Sequence, residues 1–379
     1  MSVKTLITAL LSSCLMLALT NQVWAQTSTD SAAPVDQTEQ PVDNSQHHPL
    51  RNDPTGINWA FSLEEAIQTA RETNRIVALK PVAFQSKTDS DALSPSSESQ
   101  RAIAFVDERV VNLLNHRFVI YYFDLQKPGS QYDEAAAKLA YELHPDMRYL
   151  SMATPPLLFM TPERKSLGQA SNFLSSDELL ESLVTVLNEN PEYKELTTAE
   201  KLITEPIEKA KLHYELRDLE GAVQALARQQ ESEAYFLRLK IAREQRNWAA
   251  MKACVKLIPD LDLKASIDVE NIVRYWQTDN LEGIKAKGAR IAKDNPRYQE
   301  AMYYVALAEY HTDARDDAKE TLLRAIEHDR ESAWAIRLDL ALGLIKLNPD
   351  KYLTPQDKIP SLLGRKFLCP NGLEDLSAK

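Results

Sequence analysis

Cysteine and glycine are scarce in this chain of 379 residues, and basic residues are outnumbered by acidic ones. Its three cysteines, Cys14, Cys254 and Cys369, are too few to staple a large protein, so stability must come from packed cores. Nine glycines argue against a β-sandwich rich in glycine turns and favour helices joined by short turns. The 44 basic and 55 acidic residues give a formal net charge of −11, which disfavours nucleic acid and anionic membrane surfaces as partners.

The first residues have the pattern of a secretory signal. Lys4 supplies a positive start, residues 6–19 form an apolar stretch, and Val23-Trp24-Ala25 offers small residues where a signal peptidase cuts. The stretch is short for a membrane span, which needs about 20 apolar residues. We expect residues 1–25 to be a cleaved signal peptide and the mature protein to be periplasmic or secreted. An uncleaved anchor and a lipoprotein signal with lipidated Cys14 remain as alternatives.

Two terminal segments lack the pattern of a packed domain. Residues 26–56 carry too little apolar surface to offset the entropy of ordering, so they are predicted to be a disordered linker. His47 and His48 lie near its end, but no further ligand stands at a useful spacing, and no metal site is predicted. Residues 350–379 contain Thr354-Pro355 and Ile359-Pro360 and are predicted to extend over the preceding helices.

Residues 57–193 alternate strand-like and helix-like patterns, which predicts an α/β domain. Ser62 and Ser175 are each followed three residues later by glutamate, the pattern of a capping box at a helix start. A linker near residues 190–192 is predicted to separate this domain from the next. The predicted elements are a helix from Leu63, a strand at 76–79, a helix marked by Ile103, Val106, Val110 and Leu114, strands at 118–123, 156–160 and 166–167, and helices at 133–143 and 175–188.

This order of elements resembles the thioredoxin fold, particularly exported and helix-fused members of that superfamily. Three segments carry the resemblance. Residues 75–84 match the strand before the family's active site, and residues 105–119 match the following helix and strand. Residues 153–157 match the loop that holds the family's cis-proline, so the resemblance implies a cis peptide bond before Pro155.

The resemblance also implies that the domain is redox-inactive. The family carries C-x-x-C at the head of the second helix, and counting back from Phe105 places Ser94, Pro95, Ser96 and Ser97 in that slot. A serine hydroxyl neither forms a disulfide nor ionises near neutral pH as an activated thiol does. No G-x-S-x-G elbow surrounds these serines, so a serine nucleophile is not expected either. No catalytic residue, metal or cofactor is predicted.

Residues 194–349 resemble degenerate tetratricopeptide repeats, which predicts an all-α helical-repeat domain. The turn motif at 279–281 recurs at 313–315, after the family's period of 34 residues, and earlier turns are predicted at 217–219 and 246–248. Small residues stand where the family's two helices approach closely, with Leu322 at the large apolar position: Ala306, Ala318 and Ala325. Three positions depart from the family pattern: Gly288, Glu309 and Arg330.

These features predict an exported, non-catalytic module that binds other exported or envelope proteins or peptides, as a scaffold or a chaperone. The repeats would supply the binding groove; a spacer or dimerisation role for them is the plainer alternative. A second hypothesis is a thiol–disulfide helper that uses Cys254 or Cys369 as a lone exchange thiol. The two could also form one disulfide or stay unpaired, with Cys254 filling a helix core. A third hypothesis is an enzyme of another class built around Ser94.

Overall fold

The computed structural model describes residues 53–82, 104–125, 132–145, 156–170 and 175–346. Several predicted features lie outside these ranges: the signal peptide at 1–25 with Cys14, the linker up to residue 52 with His47 and His48, the slot Ser94, Pro95, Ser96 and Ser97, the proline Pro155, and the C-terminal segment 350–379 with Cys369.

A five-stranded mixed sheet lies at the centre of the first region, in the order β1-β3-β2-β4-β5. The strands are β1 (Trp59–Ala60), β2 (Ile76–Val82), β3 (Phe118–Asp124), β4 (Leu157–Met160) and β5 (Ser166–Ala170). β1, β3 and β2 run parallel, whereas β4 is antiparallel to both β2 and β5. Every residue of β2 and β3 is buried, as their continuous apolar runs predict. The sequence did not predict β1, because two residues are too short to show a periodicity.

Among the described residues, four helices cover the two faces of this sheet: α1 (Leu63–Thr73), α2 (Glu108–Arg117), α3 (Glu134–Leu143) and α4 (Ser176–Glu189). One apolar core packs the sheet against α2 and α4, and the other packs it against α1 and α3. The prediction of an α/β domain is therefore confirmed. We call this region, residues 57–193, the sheet domain.

Side-chain caps fix where these helices begin. The capping box at Ser175 and Glu178 is complete. At α1 the hydroxyl of Ser62 accepts from the Glu65 backbone N–H, but the Glu65 carboxylate accepts from the N–H of Phe61, one residue before the cap. The helix predicted from Ile103 onward starts later than expected, because Asp107 caps α2 and the residues just before it form a turn.

The second region is helical throughout its described length. After a 3-10 turn at Pro191–Lys194 come α5 (Thr198–Lys201), α6 (Pro206–Glu215), α7 (Leu219–Leu226), α8 (Ser232–Glu244), α9 (Trp248–Lys256), α10 (Leu261–Gln277), α11 (Leu281–Gly288), α12 (Tyr298–His311), α13 (Arg315–His328) and α14 (Ala333–Lys346). Neighbours pair as hairpins from α6/α7 to α12/α13, and α14 packs against α12 and α13. The helices α6, α8, α10, α12 and α14 also contact one another in succession, and we call them the inner row. No helix within the described ranges is long and apolar enough to cross a membrane.

The predicted turns and close contacts of this helical region are present. Arg217, Arg246, Asp279 and Asp313 each adopt a positive φ, between 54° and 64°, just before a helix starts. The three alanines at positions 306, 318 and 325 are fully buried in one core with Leu322. Gly288 departs from the repeat pattern for a physical reason: a Cβ there would lie 2.1 Å from Val305 Cγ2, so glycine lets α11 approach α12.

Candidate binding site between the sheet domain and the helical region

Helix α2 contacts the helical region at both of its ends, so the predicted linker at 190–192 does not keep the two regions apart. At its C-terminal end, Arg117 donates to both carboxylate oxygens of Glu200 on α5, at 2.9 and 3.1 Å. The ring of His116 lies between two carboxylates, with Nδ1 3.0 Å from Glu200 and Nε2 3.3 Å from Glu215 on α6. We call these four residues the clasp.

Two clasp residues, His116 and Glu200, have pKa values shifted by their neighbours. The pKa of His116 is raised, because hydrogen bonds with Glu215 and Glu200 outweigh the effect of burial. Burial alone would raise the pKa of Glu200, but the hydrogen bonds from Arg117 and from the Thr197 backbone lower it to about 2. The side chains of Arg117 and Glu200 are 3% and 10% exposed, whereas those of His116 and Glu215 are about one-third exposed, so the Arg117–Glu200 pair is the buried part of this joint.

At the other end of α2, a cavity of about 470 Å³ opens between the sheet domain and the inner row. The sheet domain contributes Val106, Asp107, Glu108 and Arg109 to its wall. The helical region contributes Tyr214 from α6, Phe236, Lys240 and Arg243 from α8, Ser266 and Glu270 from α10, Arg297 and Glu300 from the start of α12, and Trp334 and Arg337 from α14. All five members of the inner row therefore face this space.

The sheet-domain side of the cavity is held by Arg109. Its guanidinium contacts Asp107 at 2.8 Å and Asp177 on α4 at 2.7 Å. Burial would lower the pKa of Arg109, but Asp107, Asp177 and Glu244 together raise it well above its usual range. Lys240 on α8 reaches across to Glu108 on α2 at 3.3 Å, so this ion pair joins the two sides of the cavity.

A buried ion-pair network forms the helical side. Glu270 is fully buried, with Arg243 Nε at 2.5 Å and Arg297 Nη1 at 2.6 Å from its two oxygens. Arg297 also holds Glu300 through two bonds of 2.7 and 2.9 Å. Burial would raise the pKa of Glu270, but Arg243, Arg297 and Lys240 lower it to about 2. This carboxylate stays ionised near neutral pH and fixes three helices of the inner row together.

Aromatic rings lie beside two cations of the cavity wall. The Arg337 guanidinium lies 5.0 Å from the Tyr303 ring centroid and 5.4 Å from that of Trp334. The Lys240 ammonium lies 5.0 Å from the Tyr214 ring centroid. These distances are within the range of cation–π attraction. The cavity therefore offers ring surfaces beside fixed cations.

A second cleft of about 370 Å³ lies between α4 and the turns that precede α7 and α9. Glu244 on α8 forms its inner wall and bonds with Arg217 and with the hydroxyl of Tyr214. Burial would raise the pKa of Glu244, but Arg109, Arg217 and Arg243 lower it to about 2. Arg109 lines both the cavity and this second cleft, so its charged side chain lies between the two spaces.

Of the predicted site residues, only Cys254 lies within the described ranges. It is a free thiol on α9, 8% exposed, and packs in a core with Leu239, Met251 and Ile258. Burial raises its pKa, which disfavours the thiolate that exchange chemistry needs. Cys254 does not line the cavity. Across the described ranges, no group of three or more His, Cys, Asp and Glu side chains could hold a metal ion.

Neither the clasp nor the cavity follows from the patterns noted in the sequence. One signal was present for the buried network: Glu270 stands between Val269 and Ile272, both fully buried, in the middle of a helix. A carboxylate at such a position requires a buried partner, because an isolated buried charge is costly. Comparisons of the chain with protein-family models, curated proteins and solved structures found no match.

Proposed function

We propose that this chain is a non-catalytic protein-binding module of the bacterial envelope, a scaffold or a chaperone, that holds a segment of another exported protein in the cavity. The observation that carries the proposal is the joint construction of this space, whose wall comes from both regions. Its charged groups are already fixed by ion pairs, and its rings are available for contact. Pre-organised groups of this kind bind at a low entropic cost.

The family assignments belong to the same proposal. A thioredoxin-like sheet domain is supported by strands that alternate with helices and end in a hairpin and a helix. Tetratricopeptide-like repeats are supported by the paired helices and by the left-handed turn residues at Asp279 and Asp313, which are 34 positions apart. Loss of the C-x-x-C motif at Ser94 and Ser97, together with a cis bond before Pro155, completes the proposed domain.

A binding role is favoured over catalysis by the state of the cavity's carboxylates. Glu270 has a pKa of about 2 and is locked between two guanidinium groups, so it is a poor general acid or base near pH 7. Glu300 accepts two hydrogen bonds from the Arg297 guanidinium. Buried Cys254 likewise gives the redox-helper alternative little support.

Site-specific photo-cross-linking tests the function. A photoreactive phenylalanine analogue replaces Phe236 in the cavity or, as a control, Leu257, which is 51% exposed beyond the end of α9. We expect discrete adducts with envelope proteins from position 236 and none of the same size from position 257. Adducts only between two copies of the chain would instead assign the helical region to dimerisation, and identical adducts from both positions would contradict the proposal.

Export is tested separately. We propose that residues 1–25 are removed and that the mature chain starts at Gln26 in the periplasm. N-terminal sequencing of the fractionated protein should begin at Gln26. A lipid-modified N-terminus at Cys14 would show that the chain is a lipoprotein, and an intact N-terminus in the membrane fraction would show an anchor.

A further inference from the structure

We propose that the occupant of the cavity is an uncharged peptide segment anchored by an aromatic side chain, and that the wall selects against charged side chains of either sign. The inference rests on the proposed binding function and names the chemistry of its ligand. Two properties of the wall carry it: its charges are paired with one another, and aromatic rings line the open space beside them.

The charges of the cavity wall are compensated within the wall. Nine charged side chains line the cavity. Eight of them form ion pairs with one another: Arg109 with Asp107, Lys240 with Glu108, Arg243 with Glu270, and Arg297 with both Glu270 and Glu300. The ninth, Arg337, is fully buried, and its guanidinium lies against the rings of Tyr303 and Trp334. A charged group of a ligand therefore meets charges that are already engaged.

The exposed members of these pairs do not tip the balance toward either sign. The most exposed carboxylate is Glu108, at 71%, and the most exposed cation is Arg297, at 25%. Glu108 pairs with Lys240, and ion pairs that stay open to water contribute little. Arg297 divides its guanidinium between Glu270 and Glu300. The lining therefore offers no preference for an acidic or a basic side chain.

A charged side chain in the cavity would lose water without gaining a partner. To gain one, it would have to displace a member of an existing pair, and a buried charge without a partner is costly. A peptide backbone avoids this cost, because its N–H and C=O groups can contact an ion pair from the side while the two charges stay together. An uncharged segment is the class of occupant that a paired wall admits at the lowest cost.

The rings of the wall supply the anchor point. Phe236 and Trp334 line the cavity and are only partly buried, so each presents part of its ring to the open space. Contacts between aromatic rings stabilise a complex beyond the area that they bury. A volume of about 470 Å³ falls within the roughly 300–1,000 Å³ typical of ligand pockets, so it suits a few residues that include one ring.

Fluorescence anisotropy with synthetic peptides tests this ligand class. The probe is Gly-Ser-Gln-Phe-Asn-Leu-Ser-Gly with both ends blocked and an uncharged label. Three matched peptides replace Gln and Asn with Glu and Asp, replace both with Lys, or replace Phe and Leu with Ala. The four peptides are compared in about 0.5 M salt, because at low salt the formal charge of −11 would attract the lysine peptide to the protein surface.

We expect the uncharged aromatic peptide to bind at least about tenfold more tightly than the alanine peptide, and about threefold more tightly than either charged peptide. Its dissociation constant should change by less than about twofold between about 0.05 M and 0.5 M salt, since no ion pair forms on binding. Tighter binding of either charged peptide, or a steep loss of affinity for the probe as salt rises, overturns the uncharged ligand.

Substitution of a ring locates the site. Phe236→Ala should weaken binding of the probe on the order of tenfold. The matched control is Leu257→Ala, since Leu257 is exposed beyond the end of α9 and lies outside the cavity. If circular dichroism shows that Phe236→Ala disturbs folding, Phe236→Leu, which keeps a large apolar side chain, should give a smaller loss. Equal affinities for the Phe236 and Leu257 variants would overturn the anchor.

Breaking one ion pair should create the charge preference that the intact wall lacks. Lys240→Gln leaves Glu108 without its partner across the cavity and should shift the preference about threefold toward the lysine peptide. Glu108→Gln leaves Lys240 in the same position and should shift the preference toward the acidic peptide by a similar factor. No shift in either variant would overturn selection by paired charges.

The outcomes separate the ligand class from the function. If a charged peptide binds most tightly, or if none of the peptides binds, while adducts still form from position 236, the binding function stands and the uncharged ligand is wrong. If neither adducts nor peptide binding occur, both proposals fail.

Discussion

The clasp and the cavity join the same two regions at opposite ends of α2, but they use charge in different ways. In the clasp, His116 and Arg117 contact two carboxylates directly. In the cavity, similar ion pairs line an open space beside aromatic rings. The clasp therefore fixes the orientation of the two regions, while the cavity leaves fixed charges accessible to a ligand. Charge density alone does not mark a binding surface; unfilled space beside the charge does.

The largest effect is expected from the wall of the cavity. Glu270→Gln should lower the free energy of unfolding by about 3–5 kcal/mol, because it leaves two guanidinium groups facing each other in a buried site. Urea unfolding followed by circular dichroism at pH 7 measures the change.

The matched control for this substitution is Glu282→Gln, where the carboxylate is 79% exposed and pairs with Lys285. It should cost less than about 1 kcal/mol. If Glu270→Gln lowers the free energy of unfolding as little as the control does, the ion-pair network does not stabilise the wall of the cavity. The comparison between the cavity and the clasp would then no longer hold.

Helix spacing beside the cavity should give the next largest effect. Gly288→Ala forces a Cβ against Val305 on α12, the helix whose start carries Arg297 and Glu300, at a cost of about 1–3 kcal/mol. Gly343→Ala on α14 meets no atom within 4 Å and should stabilise the protein by about 0.5–1 kcal/mol. Thermal unfolding of the two variants tests the pair.

The same two variants also test whether the cavity and the clasp respond independently. Gly288→Ala should reduce cross-linking from position 236 in the cavity while leaving the pH dependence contributed by His116 and Glu200 unchanged. A change in both would show that the cavity and the clasp respond as one unit, and equal melting temperatures for the two glycine variants would refute the close approach of α11 to α12.

The contribution of the clasp to the free energy of unfolding should decrease at acid pH. Glu200→Gln should cost about 1–2 kcal/mol at pH 7, since it removes a carboxylate that accepts two bonds from Arg117. The pKa of Glu200 is lowered from 4.5 to about 2, so its contribution is complete above its usual pKa and is lost as the pH falls through about 2. Unfolding of wild type and variant at pH 7 and pH 2.5 should give a difference that shrinks in acid; a constant difference would contradict it.

Local patterns predicted much of the fold. The apolar runs at Ile76 and Phe118 gave the central strands, and Ser175 with Glu178 gave a complete capping box. The turns at Asp279 and Asp313 were predicted from short polar motifs. These features depend on neighbours a few residues apart, which is the range that a sequence pattern samples.

The candidate site depends on contacts that no local pattern reports. Arg117 and Glu200 are 83 residues apart, and Glu270 and Arg297 are 27 apart on different hairpins. Their pairing follows from the relative orientation of the sheet domain and the inner row. The polar segment at 190–192 predicts a linker between two separate domains. Such a short segment carries no signal of whether the regions on either side of it pack against each other.

The smallest expected effect, and the most specific to the clasp, is the pH dependence of His116. Its pKa is raised by Glu215 and Glu200, so the stabilising contribution of its charge is complete below its usual pKa of 6.5 and is lost as the pH rises through the raised value. A double-mutant cycle of His116→Gln and Glu215→Gln should give a coupling of up to about 1 kcal/mol at pH 5.5. At pH 9 the coupling should be smaller, because the neutral ring keeps a hydrogen bond but has lost its charge. Because every variant in the cycle retains Glu200 and Arg117, the contributions of these two residues cancel from the coupling. A coupling that stays constant or grows between pH 5.5 and pH 9 would show that His116 is a neutral ring in the clasp. The clasp would then contain a single ion pair, that of Arg117 with Glu200.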